Sequence, residues 1–130
     1  MRINTTTVSL TVDEVPASVE FFTRHFGFQV EMEADGFASL GREGAPNLVL
    51  LRRGIEVLPE DLREQRAAGV IIAFTVDDLA AEEARLRSEG VAITLPIREE
   101  PWGERLFMVT DPNGVIVELV EWVTPAGQAE

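Results

Sequence analysis

An internal repeat is the feature that most constrains the fold of this chain. Residues 10–15 (Leu-Thr-Val-Asp-Glu-Val) correspond to residues 74–79 (Phe-Thr-Val-Asp-Asp-Leu), and Gly27 and Gly90 follow them at almost the same offset. In each copy an apolar extended segment leads into a helical pattern that ends at the glycine, and further extended segments follow. The repeat therefore predicts two units with the same order of elements, βαβββ.

The first copy shows the periodicity of a strand and then that of a helix. Residues 7–12 alternate apolar and polar side chains, which indicates a strand with one buried face. Apolar residues then recur every three or four positions from Val15 to Phe26, with Pro16 suited to the first helical turn and Gly27 to the end. Three more strands are predicted at residues 28–32, 37–40 and 47–51.

The second copy repeats this order. A strand at residues 72–76 precedes a helix at residues 79–88, for which Asp77 or Asp78 provides an N-cap. After the helix, strands are predicted at residues 91–97, 106–109 and 115–120. The last two strands form a hairpin, because the Asp-Pro-Asn-Gly sequence at residues 111–114 is a turn sequence.

Two such units, each with one helix, predict an α+β fold. In this fold a curved mixed sheet encloses a concave cavity, and the helices lie on the outside. We interpret residues 1–130 as one domain, with repeat one at about 5–53, a linker at about 54–69 and repeat two at about 70–123. The linker carries charges of both signs and a candidate helical turn at residues 59–62. We interpret it as a solvated connection; the alternative is a loop that closes over a pocket.

The composition excludes several classes of site and partner. The chain has no cysteine and a single histidine, His25, so it can form no thiolate metal site and no site that needs two imidazoles from one chain. Its net charge of -12 opposes nucleic-acid binding. An acidic surface favours a cationic small molecule, and the alternative, which is its commonest meaning, is solubility alone. No apolar run is long enough to cross a membrane, and the first residues carry no apolar signal core. We therefore expect a cytoplasmic protein with no nucleic-acid or membrane partner.

Trp102 is the most informative candidate for ligand binding. It lies in a Pro-Trp-Gly sequence just before a predicted strand, and Glu99, Glu100 and Glu104 flank it. An indole with carboxylates nearby can form one wall of a pocket for a flat or cationic ligand. The alternative, in which Trp102 covers an edge of the core, stays open from the residues alone.

A set of motifs in a fixed order gives the chain a family resemblance. The motifs are residues 8–13, 18–22, 26–28, 73–79, 100–103 and 111–118. Together with the repeat, they resemble the vicinal oxygen chelate superfamily, also called the glyoxalase and bleomycin resistance superfamily, over nearly the whole chain. The Pro-Trp-Gly element, with a hydrophobic strand and Asp111-Pro112 behind it, is more similar to the bleomycin-resistance branch than to the metalloenzymes.

The resemblance also implies where a metal would be held. Enzymes of this superfamily carry His or Glu ligands at positions that fall at Thr7, near Leu48 or Leu50, at Ile71 and at Glu118 in this sequence. Only Glu118 is a ligand type, and one carboxylate cannot hold a catalytic divalent ion, because such sites use about three protein ligands. We therefore expect no metal, no cofactor and no catalytic residue, and we favour a binding protein over an enzyme.

The function implied by the resemblance is sequestration of an aromatic, cationic antibiotic or natural product, without catalysis, by a homodimer whose cavities are built from both chains. The candidate ligand-binding residues are Trp102, Phe37, Leu50, Phe107, Met108 and Glu118. Ordinary core packing is the alternative for Phe37, Leu50, Phe107 and Met108, and a solvated position at a rim is the alternative for Glu118.

Two other functions stay open at this point. One is a glyoxalase-type metal-dependent lyase, isomerase or dioxygenase with relocated ligands, for example Glu118 with Glu31, Glu33 or Glu104. The other is a degenerate paralogue that binds no ligand and only dimerises with a partner.

Overall fold

Eight strands, two α-helices and one 3₁₀ turn form the computed structural model, which describes residues 1–123. The elements are β1 (Thr7–Val12), α1 (Val15–Phe26), β2 (Gln29–Ala34), β3 (Phe37–Gly41), β4 (Asn47–Arg52), the 3₁₀ turn (Glu60–Leu62), β5 (Ile71–Thr75), α2 (Leu79–Ser88), β6 (Ile93–Glu99), β7 (Glu104–Thr110) and β8 (Ile116–Trp122). The chain divides into two units: residues 1–69 with 112–114, and residues 70–111 with those from 115 onward. The α+β class and the two βαβββ repeats are confirmed. Neither helix of residues 1–123 has the length and apolar character that a membrane crossing requires.

The first unit is a four-stranded sheet with α1 packed on one face. Its strand order is β1-β4-β3-β2, with β1 parallel to β4 and the other neighbours antiparallel. Because side chains alternate across a strand, Leu48 and Leu50 lie on the face towards α1, whereas Asn47 and Val49 lie on the opposite face. Phe22 of α1 and the two leucines are completely or almost completely buried, so the core of this unit lies between α1 and the sheet.

The ends of α1 follow from its sequence. Pro16 occupies the first turn, where a missing N–H costs nothing. Gly27 ends the helix with a φ of 70°, a left-handed conformation that side chains with a Cβ disfavour. The backbone N–H groups of Gly27 and Phe28 both donate to the carbonyl of Phe22, which closes the last turn. The predicted bounds of this helix are confirmed.

Asn113 supplies the cap at the start of α1. Within the described chain, the side chain of the N-cap residue Glu14 makes no hydrogen bond to the first turn. Instead, Asn113 Oδ1 accepts a hydrogen bond from the backbone N–H of Glu14 at 2.9 Å. Asn113 Nδ2 donates to the Glu14 carbonyl at 2.7 Å and to the Oγ of the buried Ser18 at 2.6 Å. One amide therefore fixes the first turn of α1 through three bonds.

The second unit repeats the arrangement with α2 on a sheet of order β5-β8-β7-β6. Asp78 is the N-cap of α2 and accepts from the backbone N–H of Ala81 at 3.1 Å. Glu121 Oε1 accepts from the backbone N–H of Leu79 at 2.8 Å, which places Glu121 on the face of β8 that carries α2. The buried apolar residues on this face are Phe107, Val109, Val117 and Leu119.

The opposite face of this sheet carries no helix of its unit. On the two central strands, this face consists by register of Glu104, Leu106, Met108 and Thr110 of β7 and Ile116, Glu118, Val120 and Trp122 of β8. We call this surface the helix-free face of the second unit. Leu106 and Val120 at its centre are buried, whereas the other six residues are partly or largely exposed.

Several strands are longer or begin later than the sequence predicts. β2 continues to Ala34 instead of ending at residue 32, β7 extends over residues 104–110, and β6 begins at Ile93 instead of residue 91. In the β2–β3 and β7–β8 hairpins, backbone pairing continues past the last apolar side chain. In addition, β2 is an edge strand whose residues are all exposed. Apolar patterning marks buried segments and therefore does not mark the ends of such strands.

The segment between the units is folded. Its helical turn, Glu60–Leu62, is the one predicted from the sequence. Arg63 donates to two carbonyls of the same segment, and Asp13 pairs with Arg53 at 2.7 Å and with Arg66 at 3.2 Å. These bonds fix the segment to the first unit.

We expect Asn113→Ala to lower the free energy of unfolding by about 1–3 kcal/mol, because the backbone N–H of Glu14 and the buried Oγ of Ser18 each lose a hydrogen bond at the start of α1. Urea denaturation followed by circular dichroism measures the change. Asn47→Ala is a matched control, because among residues 1–123 its amide makes a single, exposed bond, to Glu31 at 3.3 Å. The control should lose less than about 0.5 kcal/mol. Equal losses in the two variants would show that Asn113 does not anchor the helix.

Candidate functional site

Trp102 lies in the turn that joins β6 to β7. The N–H of Gly103 donates to the carbonyl of Glu100 at 3.0 Å, and the N–H of Glu100 donates to the carbonyl of Glu104 at 2.8 Å. Gly103 has a φ of 91°, which explains a glycine at this position. The Trp102 side chain is 62% exposed, and its Nε1 donates to Glu104 Oε1 at 2.9 Å. An indole this exposed contributes little to the core and is available to a ligand.

Met108 and Glu118 lie opposite each other on the helix-free face of the second unit. Their strands, β7 and β8, pair them directly in register. Glu104 is on the same face of β7, and its hydrogen bond connects Trp102 to that face. The structure therefore brings Trp102, Met108 and Glu118 of the predicted site residues to one surface.

Negative charge accumulates at this surface. The pKa of the Glu118 carboxyl lies above its ordinary value, first because burial disfavours the charged form and then because Glu104 repels it. Glu100 also raises this pKa, while Arg98 lowers it. Arg98 Nε already donates to Glu100 Oε2 at 2.6 Å, so one guanidinium is shared between Glu100 and Glu118. The site can therefore accept a further positive charge.

The chemistry available here is stacking on an indole and attraction of a cation. Among residues 1–123, no three His, Cys, Asp or Glu side chains are placed so that they could hold one metal ion. A carboxyl with a raised pKa is also a possible proton acceptor, because it retains affinity for a proton closer to neutral pH.

The structure corrects one of the positions at which the resemblance implies a metal ligand. Leu48 and Leu50 lie on the face of β4 that packs on α1, so neither can point to the opposite face. The residues of β4 on that opposite face are Asn47, Val49 and Leu51. None is a carboxylate or an imidazole, so Glu118 is still the single residue of ligand type at these positions.

The remaining predicted wall residues lie elsewhere. Leu50 and Phe107 are 0% exposed and lie on helix-packed faces, so core packing accounts for both and a ligand cannot contact them in this conformation. Phe37 is half-buried in the first unit, where it lines a cavity of about 310 Å³ beside Val15 and Pro16 at the start of α1.

A second cavity of the first unit, of about 450 Å³, has a polar lining. Its side chains are Gln29, Glu31, Arg42, Glu43 and Asn47. Arg42 donates to the carbonyl of Phe26 at 2.6 Å, and Glu31 accepts from Asn47 at 3.3 Å. Because these groups already bind protein partners and no aromatic ring lines the cavity, it is a weaker candidate than the helix-free face of the second unit.

Sequence reasoning missed two residues near this face. Trp122 is 57% exposed and stands opposite Glu104 in register. The sequence does indicate that Trp122 shares a face with Glu118, because it lies four residues later on the same strand and side chains of a strand share a face at every second position. The sequence does not indicate that Arg98 lies near Glu118, because the register of β6 on β7 shifts between Leu95 and Arg98.

Solved structures share this fold. A glyoxalase/bleomycin resistance protein/dioxygenase from Nocardioides aligns with 100% of this chain and 91% of its own, at 25% identity and a TM-score of 0.76. A lactoylglutathione lyase from Agrobacterium tumefaciens aligns with 92% of this chain and 94% of its own, at 19% identity and a TM-score of 0.72. TioX from Micromonospora sp. ML1 aligns with 93% of this chain and 100% of its own, at 22% identity and a TM-score of 0.70. The last two likenesses support the fold alone.

The sequence also matches a family model directly. No curated protein matches it. However, the model described as Glyoxalase/Bleomycin resistance protein/Dioxygenase superfamily matches residues 2–119, which include both repeats and Glu118. The chain therefore belongs to the glyoxalase/bleomycin resistance protein/dioxygenase superfamily.

Proposed function

We propose that the protein binds and sequesters an aromatic, cationic small molecule, such as an antibiotic of this chemistry, without transforming it. The observation that carries the proposal is the exposed indole of Trp102, bonded to Glu104, on the surface where Glu118 is crowded by other carboxylates. The resemblance of the Pro-Trp-Gly element to the bleomycin-resistance branch is a second support for the proposal.

The charge at this surface supports a cationic ligand. Glu118 bears a negative charge at neutral pH at a cost, because it is partly buried and Glu104 and Glu100 repel it. A ligand cation placed among these carboxylates would remove part of that cost. The chain's net charge of -12 would also attract a cation from a distance at low ionic strength.

The exposed indole supports an aromatic ligand. Tryptophan binds planar rings by stacking and cations over its face, and each contact contributes on the order of 1 kcal/mol. Met108 lies across from Glu118 and adds an adaptable apolar contact. Binding by these means requires neither a metal ion nor an acid-base pair.

The alternative function is a metal-dependent lyase, isomerase or dioxygenase of glyoxalase type. One observation favours it: the raised pKa of Glu118 suits a carboxylate that accepts a proton from a substrate. The fold is shared with a lactoylglutathione lyase, which shows that this scaffold can belong to an enzyme. The donor set opposes it, because Glu118 is the single ligand type at the superfamily's metal positions.

We also propose that the protein is a homodimer. The support is apolar surface at sheet edges, where Val30 and Met32 are exposed on β2 and Ile71 is exposed on β5. Light scattering at micromolar concentration should give twice the chain mass of 14.4 kDa. A monomeric mass would contradict the homodimer.

We expect saturable binding of a planar cation and weaker binding of that cation in Trp102→Ala. Calorimetric titration with bleomycin, a panel of aromatic antibiotics and N-methylquinolinium measures the affinity. Quinoline at pH 8 is the control compound, because it has a similar ring and no charge. Affinity for the cation should fall roughly tenfold in Trp102→Ala. Val57→Ala, at an exposed apolar residue of the first unit outside the sheet edges, should bind like the wild type.

Two results would contradict the binding proposal. One is the absence of binding by every cation tested. The other is stoichiometric divalent metal in the purified protein together with turnover of a glutathione adduct, which would establish the enzyme instead.

We expect Glu118→Gln to be more stable than the wild type at neutral pH, by less than about 1 kcal/mol because solvent screens part of the charge. The folded-state pKa of Glu118 is raised, so its contribution to stability is fully present below the unfolded pKa and is lost as pH rises through the folded value. The advantage of the variant should therefore vanish in acid. Urea denaturation at pH 4 and pH 8 measures this, and an equal difference at both pH values would contradict it.

A further inference from the structure

The chain's only two tryptophans lie on either side of one carboxylate. Trp102 donates its indole N–H to Glu104, and Trp122 stands directly opposite Glu104 across β7 and β8. Directly opposed side chains on neighbouring strands have Cβ atoms about 5 Å apart. The three side chains therefore form one cluster, which we call the tryptophan–glutamate group.

Both indoles present their rings to solvent. Trp102 is 62% exposed and Trp122 is 57% exposed. Within residues 1–123, neither indole packs against another aromatic ring. Single exposed apolar residues are common on protein surfaces, but two tryptophans beside one charge form a patch that core packing does not explain.

The backbone holds this group without a ligand. The N–H of Val123 donates to the carbonyl of Gly103 at 2.8 Å, so the β7–β8 ladder continues one residue past Trp122. The hydrogen bonds of the β6–β7 turn fix the backbone of Trp102 in the same way. A site whose backbone is already in place loses less entropy when it binds.

Glu104 has one oxygen left for a ligand. Its Oε1 accepts from Trp102 Nε1 at 2.9 Å, whereas within residues 1–123 its Oε2 accepts no hydrogen bond. Glu104 is partly buried, with Trp102 bonded to it and Trp122 opposite it, so a donor that reaches Oε2 would lie close to aromatic surface.

We propose that the tryptophan–glutamate group is a subsite for a planar cation with delocalised charge, such as an amidinium, a guanidinium or an N-alkylated heteroaromatic ring, with Trp122 as its second wall. The proposal rests on the proposed function and specifies the charged group of the ligand. A planar cation can lie against an indole while its charge stays near Glu104. A compact ammonium is more strongly hydrated and covers less of the two rings.

Variants with one tryptophan test this directly. Trp102→Phe leaves Trp122 as the sole indole emitter, and Trp122→Phe leaves Trp102. Titration with N-methylquinolinium should quench the tryptophan emission of each variant. The quenching curve should give the same affinity as calorimetry on the same variant. Unchanged Trp122 emission at a concentration that saturates Trp102→Phe would overturn the subsite.

Affinities supply the second measurement. Trp122→Ala should lower the affinity for N-methylquinolinium roughly tenfold and the affinity for methylammonium much less. Glu104→Gln keeps a hydrogen-bond acceptor for Trp102 and removes the negative charge. It should therefore lower the affinity for N-methylquinolinium but not the affinity for neutral quinoline. Val57→Ala is again the control, and circular dichroism establishes that each variant is folded.

The outcomes separate the two proposals. If the wild type binds the cation and Trp102→Ala weakens it while Trp122→Ala binds as tightly as the wild type, the subsite is wrong and the proposed function stands. If the wild type binds no cation, the proposed function fails and the subsite fails with it.

Discussion

Each four-stranded sheet of this protein is covered by a single helix, and this constraint decides what every strand residue can do. Side chains alternate across a strand, so one set packs under the helix and the other set is free for chemistry. In β7 the first set includes Phe107, which is completely buried, and the second includes Glu104 and Met108, which are partly exposed. Binding residues are therefore expected at every second position of a strand and not at adjacent ones.

The same alternation explains which parts of the fold and the site could be predicted. The bounds of both helices were predictable, because helical periodicity, Pro16 in the first turn of α1, the N-cap Asp78 of α2 and the left-handed Gly27 all act locally. The cap that Asn113 adds to α1 was not, because it comes from a distant part of the chain. The face on which Leu50 lies was not, because residues 47–51 read as a continuous apolar run once Asn47 is passed. A continuous apolar run predicts a strand but does not show which of its alternate residues face the helix. The register of the strand decides whether Leu50 or Val49 lies under α1.

The site was predictable where it depends on one strand and unpredictable where it depends on several. Glu118 and Trp122 are four residues apart on β8, so their shared face follows from the sequence. The charges that act on Glu118 come from β7, from the irregular strand β6 and from the turn after it. No periodicity in the sequence connects Arg98 or Glu100 to Glu118, because pairing across strands with shifted register is a tertiary property.

The raised pKa of Glu118 links the stability of the second unit to the proposed function. A partly buried carboxylate beside two others lowers stability at neutral pH, and nothing in the packing of the unit requires it, because glutamine would fit the same space. A bound cation would favour the charged form and so lower this pKa, which means that the cation and the proton compete for one carboxyl. Under the binding proposal, the cost of the charge in the free protein is the source of affinity for a ligand that neutralises it.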